Sequence, residues 1–214
     1  IRMNNLSAAI YMTAQGIPFM QAGEEMLRTK LKGSGEFDEN SYSSPDSVNS
    51  VKWDTLNEEE YQNTYNYYRG LIAFRSAHPA LRMMTAEDVA ANITPVEGLE
   101  ANVTAFEIKG GANGDSADGM FVIFNPNKTQ TQVALPEGVW DVYINGEKAG
   151  TEVLETITEG TATVAPISAM VLIKGEAEAK AAAGPTKKAP FAIGVAAVVA
   201  VVAGVVAFMR KKKK

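Results

Sequence analysis

Cysteine is absent from the chain and histidine occurs once, as His78. No disulfide, thiolate metal site or cysteine nucleophile can therefore be built, and a lone histidine gives little support to a Ser-His-Asp triad or a histidine-rich metal site. The compartment stays open on this evidence. Positive charge is also scarce: Lys+Arg number 20 against Asp+Glu 25, for a net charge of -5, and the basic run from Arg210 to Lys214 leaves the remainder more acidic still. Such a surface repels nucleic acid rather than binding it. There is no initiator methionine at Ile1, and the chain opens inside a helical pattern, so upstream sequence is expected to be missing.

What is present suffices for a core, because 46% of the 214 residues are apolar. Met3, Leu6, Ile10 and Ala14 lie on one helical stripe, which predicts a helix over residues 1–15 with Gly16 at its C-terminal cap. Residues 17–21 read as a short strand, entered through Gly16 and Pro18. A loop of about thirty residues follows, against the ~4 to 6 that a plain connection needs. Within it Asp38, Asn40, Ser41, Asp46 and Asn49 offer hydrogen-bonding groups, while Tyr42 and Trp53 offer flat faces with polar tips. That mixture suits a sugar, although the same residue types crowd any long surface loop.

Asn57 followed by Glu58, Glu59 and Glu60 reads as a capping box, after which Tyr61, Tyr65, Tyr68 and Ile72, widened by Leu71 and Phe74, form a core-facing stripe. His78, just before Pro79, is placed to cap the last carbonyls of that helix. From about Leu99 the period changes to two. Strands are predicted at 103–108, 120–125, 129–135, 139–144, 152–157, 161–164 and 169–174, with Asn145-Gly146 as a tight-hairpin signal, and together they predict an antiparallel β-sandwich. The run GGANGDSADG at 110–119 holds Asn113, Asp115 and Asp118, which suggest calcium, but it lacks EF-hand spacing and reads as a mobile hairpin tip. No metal or cofactor is assigned.

Residues 175–190 form a low-complexity linker, and from Phe191 to Met209 the chain runs nineteen residues without a charge. Five basic residues follow, against Lys187 and Lys188 on the near side. The expectation is a single transmembrane helix with the C-terminus in the cytoplasm and Ile1 to Pro190 outside the cell, the tail at 210–214 being cytoplasmic. No LPxTG wall-sorting signal precedes the span.

The segment GIPFMQAGEE fits the pattern G-x-P-x(4)-G-x-E, carried by Gly16, Pro18, Gly23 and Glu25, and it continues as MLRTK and NSYSSPDSVNSVKWD. On these residues the chain resembles pullulanase-type debranching enzymes of the alpha-amylase superfamily of glycoside hydrolases. The resemblance implies that residues 1–84 are the last βα units of a (β/α)8 catalytic barrel and 85–174 the β-sandwich that follows it. It also implies that the catalytic carboxylates lie on earlier strands, upstream of Ile1, so no catalytic residue is expected in this segment; Glu24 and Glu25, as neighbours on a strand, would point to opposite faces. The loop would then border the substrate groove, with Arg28, Asn40, Tyr42 and Asp46 as candidate contacts to an α-glucan, cleaved at α-1,6 branch points. The alternative is a non-enzymatic, membrane-anchored surface protein that binds glycans. The oligomeric state has no signal in the sequence.

Overall fold

Residues 1–175 are described by a computed structural model of the chain. Helix α1 (Arg2–Thr13) ends where Ala14 turns extended, and Gly16, at φ 90, redirects the backbone as a side-chain-bearing residue rarely could. Its packed face is Leu6, Ala8, Ala9 and Met12; Met3 and Ile10, half of the predicted stripe, face outward at 71% and 43% exposure. The alanines decide this. Their small side chains give α1 a flat face against its helical neighbour, a signal that a search for large apolar residues passes over.

After the loop, which holds the short helix α2 (Asp46–Asn49), comes α3 (Glu59–Ala77). The capping box from Asn57 does not form: Asn57 closes a 3₁₀ turn (Trp53–Asn57), and Glu58 precedes α3 without a side-chain cap. Helix α3 buries Tyr67, Tyr68, Leu71 and Phe74, whereas Ile72 is 45% exposed. A short helix, α4 (Ala86–Asn92), capped by Thr85 accepting from the Asp88 N–H, leads into the strands.

The strands are β1 (Ile93–Pro95), β2 (Thr104–Lys109), β3 (Gly119–Asn125), β4 (Thr131–Ala134), β5 (Val139–Ile144), β6 (Glu155–Ile157), β7 (Thr161–Val164) and β8 (Ser168–Gly175). They form a six-stranded sheet in the order β1-β2-β3-β8-β5-β6 and a separate pair, β4-β7, with every ladder antiparallel. The central strands are covered on both faces. Met120, Val122 and Phe124 of β3, with Ala169, Val171 and Ile173 of β8, join the core built by α1 and α3. Phe121, Ile123, Met170 and Leu172 point the other way, into a core completed by Trp140, Val142 and the β4-β7 pair. Three layers result, and burying one large apolar side chain contributes roughly 1.5–3 kcal/mol to such an arrangement.

The expected composite of a barrel end, a sandwich and a membrane helix is corrected by this architecture. Residues 17–21 make no ladder; a parallel barrel strand is held by neighbours on both sides, and no described segment supplies one, so Ile17 and Phe19 stand 98% and 92% exposed. No barrel portion is evident among the described residues, which form instead a mostly antiparallel β structure with a few helices on one face. The span from Phe191 to Met209 lies outside the described residues, and among the described ones no helix is long and apolar enough to cross a membrane.

Two smaller expectations change as well. The His78 side chain does not cap α3; its Nδ1 lies 3.1 Å from Asp115 Oδ1, and the ring rests against Phe74 with centroids 4.4 Å apart. Asp115 also accepts from the backbone N–H groups of Ala80 and Ala117, and Asn113 donates to the carbonyls of Pro79 and Arg82. The 110–119 segment is thus tied to the end of α3 by its own polar groups, and Asp115 is buried at 6% exposure.

Candidate functional site

The loop between α1 and α3 is a braced structure. At its root, Gly23 adopts φ 97, and a Cβ there would sit 2.5 Å from the Arg28 side chain, so both the backbone angle and the close approach require glycine. The Gly23 N–H donates to Glu25 Oε2 at 2.8 Å, and Glu24 and Glu25 lie on a 3₁₀ turn (Glu24–Met26) rather than a strand. Of the expected motif, Gly16 and Gly23 thus supply positive φ and Glu25 ties down the turn, while Pro18 is exposed.

Glu24 is the best-connected carboxylate here. Its Oε1 accepts from the phenols of Tyr11 on α1 and, at 3.3 Å, Tyr68 on α3; its Oε2 accepts from the Gln21 N–H at 3.0 Å. Asn4 Nδ2 in turn donates to the Tyr68 hydroxyl at 3.1 Å. Burial, with the hydrogen bond it donates to Glu24, pushes the Tyr11 phenol far up, and burial pushes Tyr68 up to about 12, so both remain protonated donors at neutral pH.

Arg28 links the two ends of the loop. Its guanidinium donates to the Ala22 carbonyl at 2.9 Å and to the Asn49 carbonyl, while the buried Nε has no partner. The middle of the loop folds as a small hairpin: the Asp38 N–H donates to the Lys30 carbonyl, and Leu31 bridges Phe37. Next comes a 3₁₀ turn (Ser41–Ser43) whose first residue is buried. Lys30 Nζ donates to Ser41 Oγ at 2.7 Å, and Asn49 Nδ2 donates to the carbonyls of Ser41 and Ser44. Asp38 accepts from Ser44 and from the Asn40 N–H, and the Ser44 bond holds its carboxyl below the ordinary range.

Tyr42 stands on this turn at 86% exposure, with Phe37 at 68% and Trp53 at 65% elsewhere in the same loop. Asn40 and Asp46 are exposed, and Asp46 contributes its carbonyl to Ser50 N–H and to Lys52 Nζ. The structure brings Arg28, Asn40 and Tyr42 into one braced unit, with Arg28 acting on the loop's own backbone. Reading the sequence missed Lys30, Phe37 and the Glu24 cluster, since partners from α1 and α3 leave no local spacing pattern. A cavity of about 650 Å³ opens elsewhere, between α1, α3 and the 146–154 segment, and none of the expected sugar contacts lines it.

Comparison with known proteins finds relatives of the fold. Residues 89–148 match the family described as pullulanase, all-beta domain. A pullulanase of Bacillus subtilis (strain 168) is 33% identical over 134 residues, 63% of this chain and 18% of that protein. The solved pullulanase from Bacillus acidopullulyticus superposes with a TM-score of 0.74 at 38% identity, covering 81% of this chain and 20% of its own. A Paenibacillus barengoltzii pullulanase, in complex with maltohexaose and alpha-cyclodextrin, gives a TM-score of 0.69 at 35% identity over 82% of this chain and 25% of its own. The class to which these relatives belong is that of the debranching glycoside hydrolases. Within it the resemblance is to the pullulanases, as read from GIPFMQAGEE and its continuation, and this chain spans only about a fifth to a quarter of the length of those relatives.

Proposed function

We propose that this chain serves a pullulanase-type hydrolase of α-1,6 branch points as the segment that presents an α-glucan-facing loop on a helical layer backed by a β sheet. One observation carries the reading: Tyr42 is held out at 86% exposure on a turn pinned from beneath by Lys30 and Asn49. An aromatic face on a braced turn stacks on a pyranose ring without having to be ordered first. The maltohexaose complex of the Paenibacillus barengoltzii pullulanase supports an α-glucan as the ligand class.

By itself the chain is proposed to turn nothing over. Hydrolysis of a glycosidic bond needs one carboxylic acid and one carboxylate free to face the sugar. At the loop root, Glu24 is occupied by two phenols and an amide and Glu25 by Gly23, and in the middle of the loop Asp38 serves Ser44 and Asn40.

Calorimetric titration with maltotetraose tests the reading. The chain is expected to bind, and Tyr42→Ala to bind about two- to twelvefold more weakly, the loss of ~0.5–1.5 kcal/mol that one stacked ring contributes. Equal affinities would remove Tyr42 from the site. Absence of binding by the unaltered chain would overturn the reading as a whole. No reducing sugar should be released from pullulan.

A further inference from the structure

We propose that Glu24 is a positioning residue: its carboxylate, clamped between Tyr11 and Tyr68, sets how the loop bearing Tyr42 sits on the helical layer. The inference rests on the glucan reading of that loop for its functional consequence, but its structural content stands alone.

Three elements meet at one carboxylate. Tyr11 comes from α1, Tyr68 from α3, and the Gln21 N–H from the exposed segment that otherwise has no ladder partner. The next contacts run outward without a gap. Glu24 follows Gly23, whose carbonyl accepts from the Arg28 N–H at 2.9 Å and whose missing side chain lets Arg28 pass. Arg28 donates to the Asn49 carbonyl, and Asn49 donates to the carbonyls of Ser41 and Ser44, which flank Tyr42. The links are the chain itself between Glu24 and Gly23 and directional polar contacts beyond it, so a shift at the carboxylate reaches the turn that carries the ring.

Glutamate suits the task where neighbouring residue types do not. A carboxylate accepts on both oxygens and so takes two phenol donors and a backbone amide together. Glutamine keeps one acceptor oxygen for the phenols but meets the Gln21 N–H with a second donor. Alanine keeps neither.

Two measurements on the full 214-residue chain decide the matter: maltotetraose titration and amide hydrogen exchange, applied to Glu24→Ala, Glu24→Gln and the double variant Tyr11→Phe/Tyr68→Phe. Glu24→Ala and the double variant are expected to bind roughly tenfold more weakly, the loss of about one charge-assisted hydrogen bond, with faster exchange across residues 21–28 and unchanged protection in β3 and β8. Glu24→Gln should recover most of the affinity. Unchanged binding and unchanged exchange would overturn the proposal, and so would loss of protection throughout the sheet, which makes Glu24 a stability residue only. Should the unaltered chain fail to bind maltotetraose, the glucan reading falls and the exchange data alone judge the clamp.

Discussion

The guanidinium of Arg75 donates to the carbonyl of Gly16 at 2.6 Å, across the point where α1 has ended and the chain swings toward the loop. The same group donates to the carbonyls of Met12 and Ala14 at 2.7 and 2.8 Å, so one side chain from α3 satisfies three carbonyls at and just beyond the end of α1. Burial lowers the Arg75 pKa, but the guanidinium stays charged at any working pH.

Arg75→Met should therefore destabilise the fold by about 2–5 kcal/mol, because three carbonyls lose a charged donor at once. Urea denaturation followed by circular dichroism measures this. A midpoint within error of the unaltered chain would show that water replaces the guanidinium without cost.

Asp115 gives a pH dependence. Burial alone would raise its pKa, but the N–H groups of Ala117 and Ala80, with His78, outweigh burial and hold it below the ordinary value. A carboxyl depressed in the folded state contributes stability that is fully present above its unfolded pKa, about 3.9, and is lost as pH falls through the lower folded value. Thermal melts should thus show an acid limb below about pH 4 that is shallower in Asp115→Asn, and the variant should also be less stable at neutral pH by about 1–3 kcal/mol. Parallel limbs would mean that other carboxylates carry the acid sensitivity.

Gly70 marks where α3 meets the connection between β5 and β6. A Cβ at this position would lie 1.9 Å from the Ala149 carbonyl oxygen, and Tyr67 secures the same region by donating to the Asn145 carbonyl at 2.9 Å. Gly70→Ala should cost about 1–3 kcal/mol or more, despite alanine's better helix propensity, because helix and backbone must separate. A more stable Gly70→Ala, judged by its melting temperature, would contradict the packing described.

Asn49→Ala removes the amide that ties Ser41 to Ser44 beneath Tyr42. The global melt should shift little, since the residue lies in a loop, while maltotetraose affinity falls about three- to tenfold as the stacking ring loses its support. A large drop in melting temperature with full affinity would reverse this assignment.

Sequence patterns are clearest where one residue type settles a local question. Residues 161–164 and 139–144 alternate plainly because one side of each strand is better covered than the other, and their predicted bounds are the observed ones. The predicted ends of β3 and β8 lie within a residue of the observed ones, although Gly119–Asn125 is buried on both faces and carries no alternation at all. Strand β1, three residues of which two are exposed, offers no apolar pattern to find. Residues 17–21 mislead for the opposite reason: Ile17 and Phe19 have the composition of a strand, but pairing is a property of neighbours and not of composition. The candidate site divides in the same way. Tyr42 is legible as an exposed ring within a polar loop, whereas the clamp at Glu24 depends on Tyr11 and Tyr68, whose places along their helices suggest core and nothing more. Arg28, a candidate sugar contact in the sequence, donates to the carbonyls of Ala22 and Asn49, partners that no spacing pattern announces.

The chain has two tryptophans, and they occupy opposite surroundings: Trp140 is wholly enclosed, its Nε1 donating to the Pro136 carbonyl and its ring edge-on to Phe121, whereas Trp53 lies mostly in solvent where the loop rejoins α3. Their fluorescence should separate accordingly, a blue emission indifferent to iodide from the first and a red, readily quenched one from the second. Ligand arriving at the loop and melting of the β layers could then be watched in a single cuvette, each by its own colour and without an attached dye.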